Sequence, residues 1–342
     1  GSRPMDNAEV IAAGRRAAMV APAGCGKTYM IVDAIKRFGG DRELVLTHTH
    51  SGVDAIRSQF HRRGVQSARF QVDTIAGWAL RLATSFPATS GIQVARPERG
   101  QWGDIYSATA ALVGTGPISE IIRASYSGDY VDEYQYCTVA QQKVVASLAG
   151  LLPCRVLGDP LQGIFDFEPI VSWEDHVGAF FDPISGVHEP WRWVDSNPDL
   201  GSWLLEARDH LESGRRLEIN GPVQWVDASD SRQIQAIYQR VCSAAERDLP
   251  GSIIVIRNQP QRLSKLACRL GGRFQCVETV DCAELRGFAK QMDVAEGYER
   301  AVAVIDYAKK FATRIGTETK SIYTGLSEGR VPKVRKHKDQ LG

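Results

Sequence analysis

The octapeptide APAGCGKT, residues 21–28, constrains the fold of this 342-residue chain more than any other stretch. It follows a short apolar run, AAMVA (17–21). It leads into TYMIVDAIKRF (28–38), whose apolar residues recur at helical spacing. The pattern nearly matches Gly-x-x-x-x-Gly-Lys-Ser/Thr, with Ala21 in the first glycine's place. Gly24 and Gly26 let the backbone turn so that successive N–H groups face a phosphate. The start of the following helix adds the positive end of its dipole. Lys27 is long enough to reach β- and γ-phosphates, and the Thr28 hydroxyl suits Mg²⁺. Ala23 and Cys25 belong to the same cradle, Cys25 as a small loop residue rather than a reactive thiol. The bland alternative is a glycine-rich turn with no ligand; the strand before and the helix after argue against it.

The rest of the first half keeps this rhythm. ELVLT (43–47), ARFQV (68–72), DYVDE (129–133), CRVLGD (154–159) and GVHEP (186–190) read as strands. GVDAIRSQFHRR (52–63) and TIAGWALRLA (74–83) read as helices between them, with Trp78 on an apolar face as a core residue. Alternating strands and helices predict a parallel sheet with helices on both faces, because parallel strands need crossovers. Residues 85–127 interrupt the pattern; rich in Gly, Ser, Thr and Pro, they are expected to form an inserted loop or small subdomain. From residue 186 a second block begins, with PVQWVD (222–227) and SIIVIR (252–257) as strands and a helix over about 297–313. The expected organisation is a first α/β domain over 1–185 and an incomplete second one over 186–342. The latter ends in a basic tail (Arg330, Lys333, Arg335, Lys336, Lys338) read as a solvated end, with nucleic-acid contact as the alternative.

Composition excludes more than it selects. Lys plus Arg number 41 against 40 Asp plus Glu, so net charge neither favours nor opposes a nucleic-acid partner. The seven scattered cysteines form no Cys-x-x-Cys pair, which argues against a disulfide framework and a zinc site and fits a reducing, cytoplasmic setting. No signal peptide and no apolar run long enough to span a bilayer is found. Residues 1–4, before Met5, are expected to be vector-derived.

With a phosphate loop upstream, the paired acids of VDEYQ gain meaning. A nucleotide hydrolase of this class needs a carboxylate at a strand's C-terminal end for Mg²⁺, and a group that positions or deprotonates the attacking water. Asp132 is the candidate for the metal and Glu133 for the water. Strand ends of a parallel sheet converge on one edge, where ligands bind. The bland alternative is a strand end running into solvent.

In this order, APAGCGKT, LVLTHTHSGVDAIRSQF (44–60), DTIAGWALRL (73–82), VDEYQ (131–135), VLGDPLQGIFDF (156–167), EPWRW (189–193) and IIVIRN (253–258) resemble the motif series of the UvrD/Rep group of superfamily-one DNA helicases. The resemblance implies two RecA-like domains, Mg-ATP as cofactor, and single-stranded DNA, or duplex with a single-stranded tail, as partner. It implies that Gln135 ties the hydrolysis site to the DNA face, that Gln162 senses the γ-phosphate, and that Arg192 reaches that phosphate from the second domain. Trp191 would stack on the nucleotide base, with a core position as its alternative; Trp193 reads as core. His48, Thr74 and Phe167 fall where the family contacts DNA. His48 and His50 also read as surface loop residues or, less well, metal ligands, while Arg257 and Asn258 are open. Aromatic platforms bind single strands without reading sequence.

The chain departs from the pattern in four places. The family's glutamine before the first strand has no counterpart in DNAEVIAAGRRAAM (6–19). Tyr136 stands where Asp follows the Asp-Glu-x-Gln motif. The insertion before Val131 is short, and the last two motifs are absent. The resemblance therefore implies a shortened form of an ATP-dependent DNA translocase, in DNA repair or anti-phage defence. A nucleotide-gated module that recruits a partner such as a nuclease is the alternative. A simple P-loop kinase is disfavoured by DEYQ and GDPLQ.

Overall fold

The computed structural model describes residues 6–163, 172–184, 186, 189–227, 229, 234–248, 252–256, 266–267, 270, 273–274, 282–311 and 324–325. The chain divides into two units, residues 1–225 and 226–342. The first therefore runs past residue 185 and takes in the EPWRW segment and the helix after it.

The first unit is built on six parallel strands. These are β1 (Arg16–Val20), β2 (Glu43–Thr47), β3 (Phe70–Thr74), β4 (Gly128–Val131), β5 (Cys154–Gly158) and β6 (Asp182–Ile184), in the order β3-β2-β4-β5-β1-β6. Five stand where the sequence places strands, within two residues or so at either end. The sixth does not: it is Asp182–Ile184, and Glu189 and Pro190, the described end of GVHEP, carry no strand. DPI has no alternating pattern and contains Pro183. Proline cannot donate to a ladder, so it suits this edge position, which a sequence reading passes over.

Helices cover both faces. On one lie α1 (Asn7–Ala13), α2 (Lys27–Phe38) and α3 (His50–Arg62); on the other α4 (Ile75–Ser85), α6 (Trp102–Val113), α7 (Gly116–Ser125) and α8 (Val139–Leu151), with the short α5 (Pro87–Ser90) between α4 and α6 and the single turn α9 (Gly178–Phe180) before β6. Leu44 and Leu46 of β2 face the α4 side and Val45 faces the α2 side, the two-residue alternation of a buried strand. Residues 85–127 are not a loop. Ile105, Tyr106, Thr109, Leu112 and Val113 recur at helical spacing and are buried, and α6 packs on α4 and α8. Gly and Ser on the outer face of these helices hide that periodicity from a reading by composition.

At the strands' N-terminal ends lies a closed polar cluster. Asp129, fully buried, accepts a hydrogen bond from the Cys154 thiol at 3.0 Å through Oδ2. Its Oδ1 and the nearby Glu43 Oε2 have no hydrogen-bond partner among the described residues. Arg155 lies 3.8 Å from Glu43 and donates to the carbonyls of Ala12 and Gly14.

In the second unit the described residues form helices Ile234–Asp248, Cys282–Val294 and Gly297–Phe311, with a small cluster of Cys242, Leu266 and Leu270. Residues 252–256, expected as a strand, carry none among the described residues, with Ile254 and Ile256 exposed, and 223–227 likewise carry no strand. An α/β second domain is thus not seen among the described residues. Among the described residues, no helix is long and apolar enough to cross a membrane.

Candidate active site

The C-terminal ends of β1, β4 and β5 meet at one edge of the sheet. β5 lies between β1, which carries the phosphate loop, and β4, which carries the acids. Leaving β1, the chain turns at Gly24 (φ 77°) and Gly26 (φ 82°), the left-handed backbone that glycine adopts without cost. Gly26 caps α2, and no side chain caps this helix end, so its first N–H groups are left for an anion. Lys27, buried, folds back to donate to the Ala21 carbonyl at 3.1 Å and lies 3.8 Å from Glu133 Oε2. Thr28 donates to Asp132 Oδ2 at 2.8 Å. Ala23 and Cys25 lie within the same turn, where burial pushes the Cys25 thiol up and leaves it inert.

Asp132 is nearly fully buried, and burial first, then the neighbouring Glu133 charge, pushes its carboxyl up to about 6. Thr28 and Asp132 are the pair that could hold a cation. One hydroxyl and one carboxylate suit Mg²⁺, which keeps waters and takes substrate phosphates as ligands. No cluster of three or more His, Cys, Asp or Glu suited to a metal occurs among the described residues.

Glu133 is the one non-glycine residue with positive φ among those described, at φ 57°. That turn lets the chain double back at once, so that Gln135 Nε2 donates to Glu133 Oε2 at 2.6 Å. Gln135, itself buried, accepts through Oε1 from the Asp159 N–H at 3.0 Å. Gln162 Nε2 donates to Asp159 Oδ2 at 2.7 Å. A continuous set of contacts thus runs from Lys27 through Glu133, Gln135 and Asp159 to Gln162. Sequence reading singled out Lys27, Glu133, Gln135 and Gln162. It missed Asp159 as the hub, and it missed Arg208 of α10 (Pro198–Glu212), which donates to Asp159 Oδ1 at 2.6 Å. A signal was present: Gly201, Leu205 and Arg208 fall on one helical stripe, and an arginine on an apolar stripe needs a buried partner.

The EPWRW segment lies against the phosphate loop within this same unit. The Arg192 N–H donates to the Gly24 carbonyl at 3.1 Å, and the Arg192 guanidinium sits 5.6 Å from the Trp193 ring. A Cβ on Gly24 would come within 2.3 Å of that ring, so Trp193 packs on the loop rather than in the core. Trp191 is 59% exposed and, with Tyr29, Met30 and Gly26, lines a cavity of about 390 Å³ beside α1 and α2. Arg192 therefore reaches the loop from the first unit, not from a second domain.

The residues expected at DNA are less alike. His48 is half-buried, edge-on to Tyr136 at 6.2 Å, with Nε2 enclosed and without a hydrogen-bond partner among the described residues. Burial lowers its pKa to about 4, so the ring is neutral. Thr74 is buried, and its hydroxyl accepts from the Gly77 N–H at 2.9 Å to cap α4. Phe167, Arg257 and Asn258 lie outside the described residues.

A sheet in which one strand separates the phosphate-loop strand from the acid-bearing strand, with helices on both faces, is a RecA-like P-loop NTPase fold. No family model matches the sequence, and no curated protein matches it. Among solved structures, an arterivirus nonstructural protein 10 (helicase) in complex with DNA aligns with TM-score 0.32 and 13% identity over 52% of this chain and 37% of that one. The same arterivirus protein in a second structure gives 0.31 and 14% over 52% and 36%. An ATPase of the type III secretion system of pathogenic bacteria gives 0.29 and 11% over 75% and 81%. The chain spans little more than a third of the helicases it aligns with. The fold assignment stands on the strand order and the loop, not on these neighbours.

Proposed function

We propose that this chain is the nucleotide-hydrolysing part of a UvrD-like DNA translocase, cleaving the γ-phosphate of ATP. The observation that carries this reading is the contact path from Lys27 to Gln162, which ties the phosphate loop, the acid strand and the end of β5 into one edge. Lys27 and the open N-terminus of α2 would hold the phosphates. Thr28 and Asp132 would hold Mg²⁺, which supplies charge neutralisation at the phosphates. Glu133, held by Gln135, would take the proton of the attacking water. Gln162 and Arg192 would contact the γ-phosphate, and Trp191 the base. His48 would present a neutral ring to single-stranded DNA, and Phe167 a second. The division into two motor domains and a role in repair or anti-phage defence belong to the same reading.

Trp193 on Gly24 favours a second reading, a nucleotide-gated module that recruits a partner such as a nuclease, because a covered loop opens only when nucleotide displaces the cover. Steady-state ATPase with and without single-stranded DNA, with Glu133→Gln as blank, separates the two. DNA-stimulated turnover, abolished in the variant while nucleotide binding persists, is expected. Binding without turnover in the unaltered chain would overturn the hydrolase reading in favour of the switch.

A further inference from the structure

Arg208 is the one buried charged side chain of α10, a helix whose other buried residue is Gly201. Placing a guanidinium inside a protein is costly unless its charge and hydrogen bonds are met. Here they are. Nη1 donates to Asp159 Oδ1 at 2.6 Å, and Nη2 lies 2.7 Å from Glu212 Oε1. Asp159 is equally buried, and both of its oxygens are engaged: Oδ1 also accepts from the Leu161 N–H, and Oδ2 takes the Gln162 amide. Its backbone N–H holds Gln135, which holds Glu133.

α10 is fixed at its other end too. A Cβ on Gly201 would lie 3.1 to 3.2 Å from Pro190 and Trp193, so the helix packs closely on the segment that covers Gly24. The Arg208 charge also reaches Cys25 in the phosphate loop. One cation therefore stands behind the groups that would face the γ-phosphate from β4 and β5.

We infer that Arg208 is a positioning residue for γ-phosphate chemistry, acting through Asp159 on Gln162 and on the Gln135–Glu133 pair. The inference rests on the nucleotide-hydrolase reading above. Without the guanidinium, Asp159 loses its charged partner and keeps only the Leu161 N–H at Oδ1. The charge-assisted bond to Gln162 then rests on a carboxylate held on one side only, and the Gln162 side chain is less firmly placed. The phosphate-loop residues that would hold the α- and β-phosphates make no hydrogen bond to Arg208 or Asp159 among the described residues. The loss should therefore fall on the γ-position alone.

The test compares affinities of the full chain for Mg-ADP and for Mg-ADP with aluminium fluoride, which stands in for the phosphoryl group in flight. Arg208→Met alone leaves Asp159 buried and unpaired, and is expected to lower the melting temperature. The double variant Arg208→Met/Asp159→Asn removes both charges and keeps the fold testable. In it, Mg-ADP affinity should stay within about three-fold of wild type, while the gain from fluoride falls about thirty-fold, a loss confined to the transition-state complex. Arg208→Lys, which keeps the charge without the planar fork, should retain most of the gain. A double variant with the full fluoride gain, or one whose two affinities fall together, would mean that the pair only supports the fold, and would overturn the inference alone. A wild-type chain that binds Mg-ADP with no gain from fluoride, or binds neither, would sink the hydrolase reading and this inference with it.

Discussion

Asp129→Asn should make the protein more stable in mild alkali. Asp129 has no exposed surface, and burial pushes its carboxyl up to about 7; the Cys154 thiol and Arg155 work against that shift, and Glu43 adds to it. In the unfolded chain the same group titrates at its ordinary 3.8. The folded state thus prefers the protonated acid. Stability from this preference is complete below the unfolded pKa and is lost as pH rises through the folded one. Three pKa units correspond to about 4 kcal/mol, of which about 2 kcal/mol is lost between pH 5.5 and 8.5. Asparagine keeps the shape and the acceptor for Cys154 but carries no charge at any pH. Urea unfolding of both proteins at pH 5.5, 7 and 8.5, followed by circular dichroism, measures the difference directly. The variant's advantage should grow by about 2 kcal/mol across that range. Parallel pH curves, differing by a constant, would show that Asp129 ionises freely in the folded protein and that the cluster is not closed.

Gly158→Ala should disturb the site from beneath: the new methyl would lie 2.7 Å from Gln135 Oε1 and 2.8 Å from the Trp173 ring, costing about 1–3 kcal/mol in stability and lowering turnover. Unchanged melting and rate would show that Gln135 is not held where it is described. Thr74→Ala should lose the α4 cap at about 1 kcal/mol, with Thr74→Ser close to wild type, and DNA affinity should follow stability rather than the hydroxyl. A loss of DNA binding in Thr74→Ala with no loss of stability would restore the direct contact. His48, lowered to about 4 from 6.5, gives stability that is present above 6.5 and lost as pH falls toward 4. His48→Phe should flatten that acid limb in thermal melts, and an unchanged limb would assign it elsewhere.

The sheet was legible because its central strands are short apolar runs set between turn residues, and the phosphate loop because its chemistry fixes residue types at fixed spacing. Helices within 85–127 were obscured by Gly and Ser on their outer faces, although Ile105, Thr109 and Leu112 keep the helical step. SIIVIR carries the apolar signature of a strand, yet residues 252–256 pair with nothing described, since periodicity says what a segment is able to do and not whether a neighbour exists. At the site, Lys27, Asp132 and Glu133 could be read because each acts through its own side chain. Asp159 could not, and of Arg208 only its place on an apolar stripe could, because their part depends on which residues meet across the fold. Nothing in VDEYQ announces that Glu133 takes a left-handed backbone, the turn that returns Gln135 to it.

The strand order also sets a timetable for synthesis. Arg16 of β1 pairs with Cys154 and Ala17 with Asp182, so both flanks of the phosphate-loop strand are made long after it. At about 5–20 residues per second the nascent chain carries an unpaired apolar strand for on the order of ten seconds. β2 and β3, adjacent in sequence and in the sheet, can pair meanwhile and offer α3 and α4 a surface. The phosphate loop is therefore made well before the strands that flank it and takes shape only after them, and chaperone capture should raise the yield of folded protein more than changes to the loop itself.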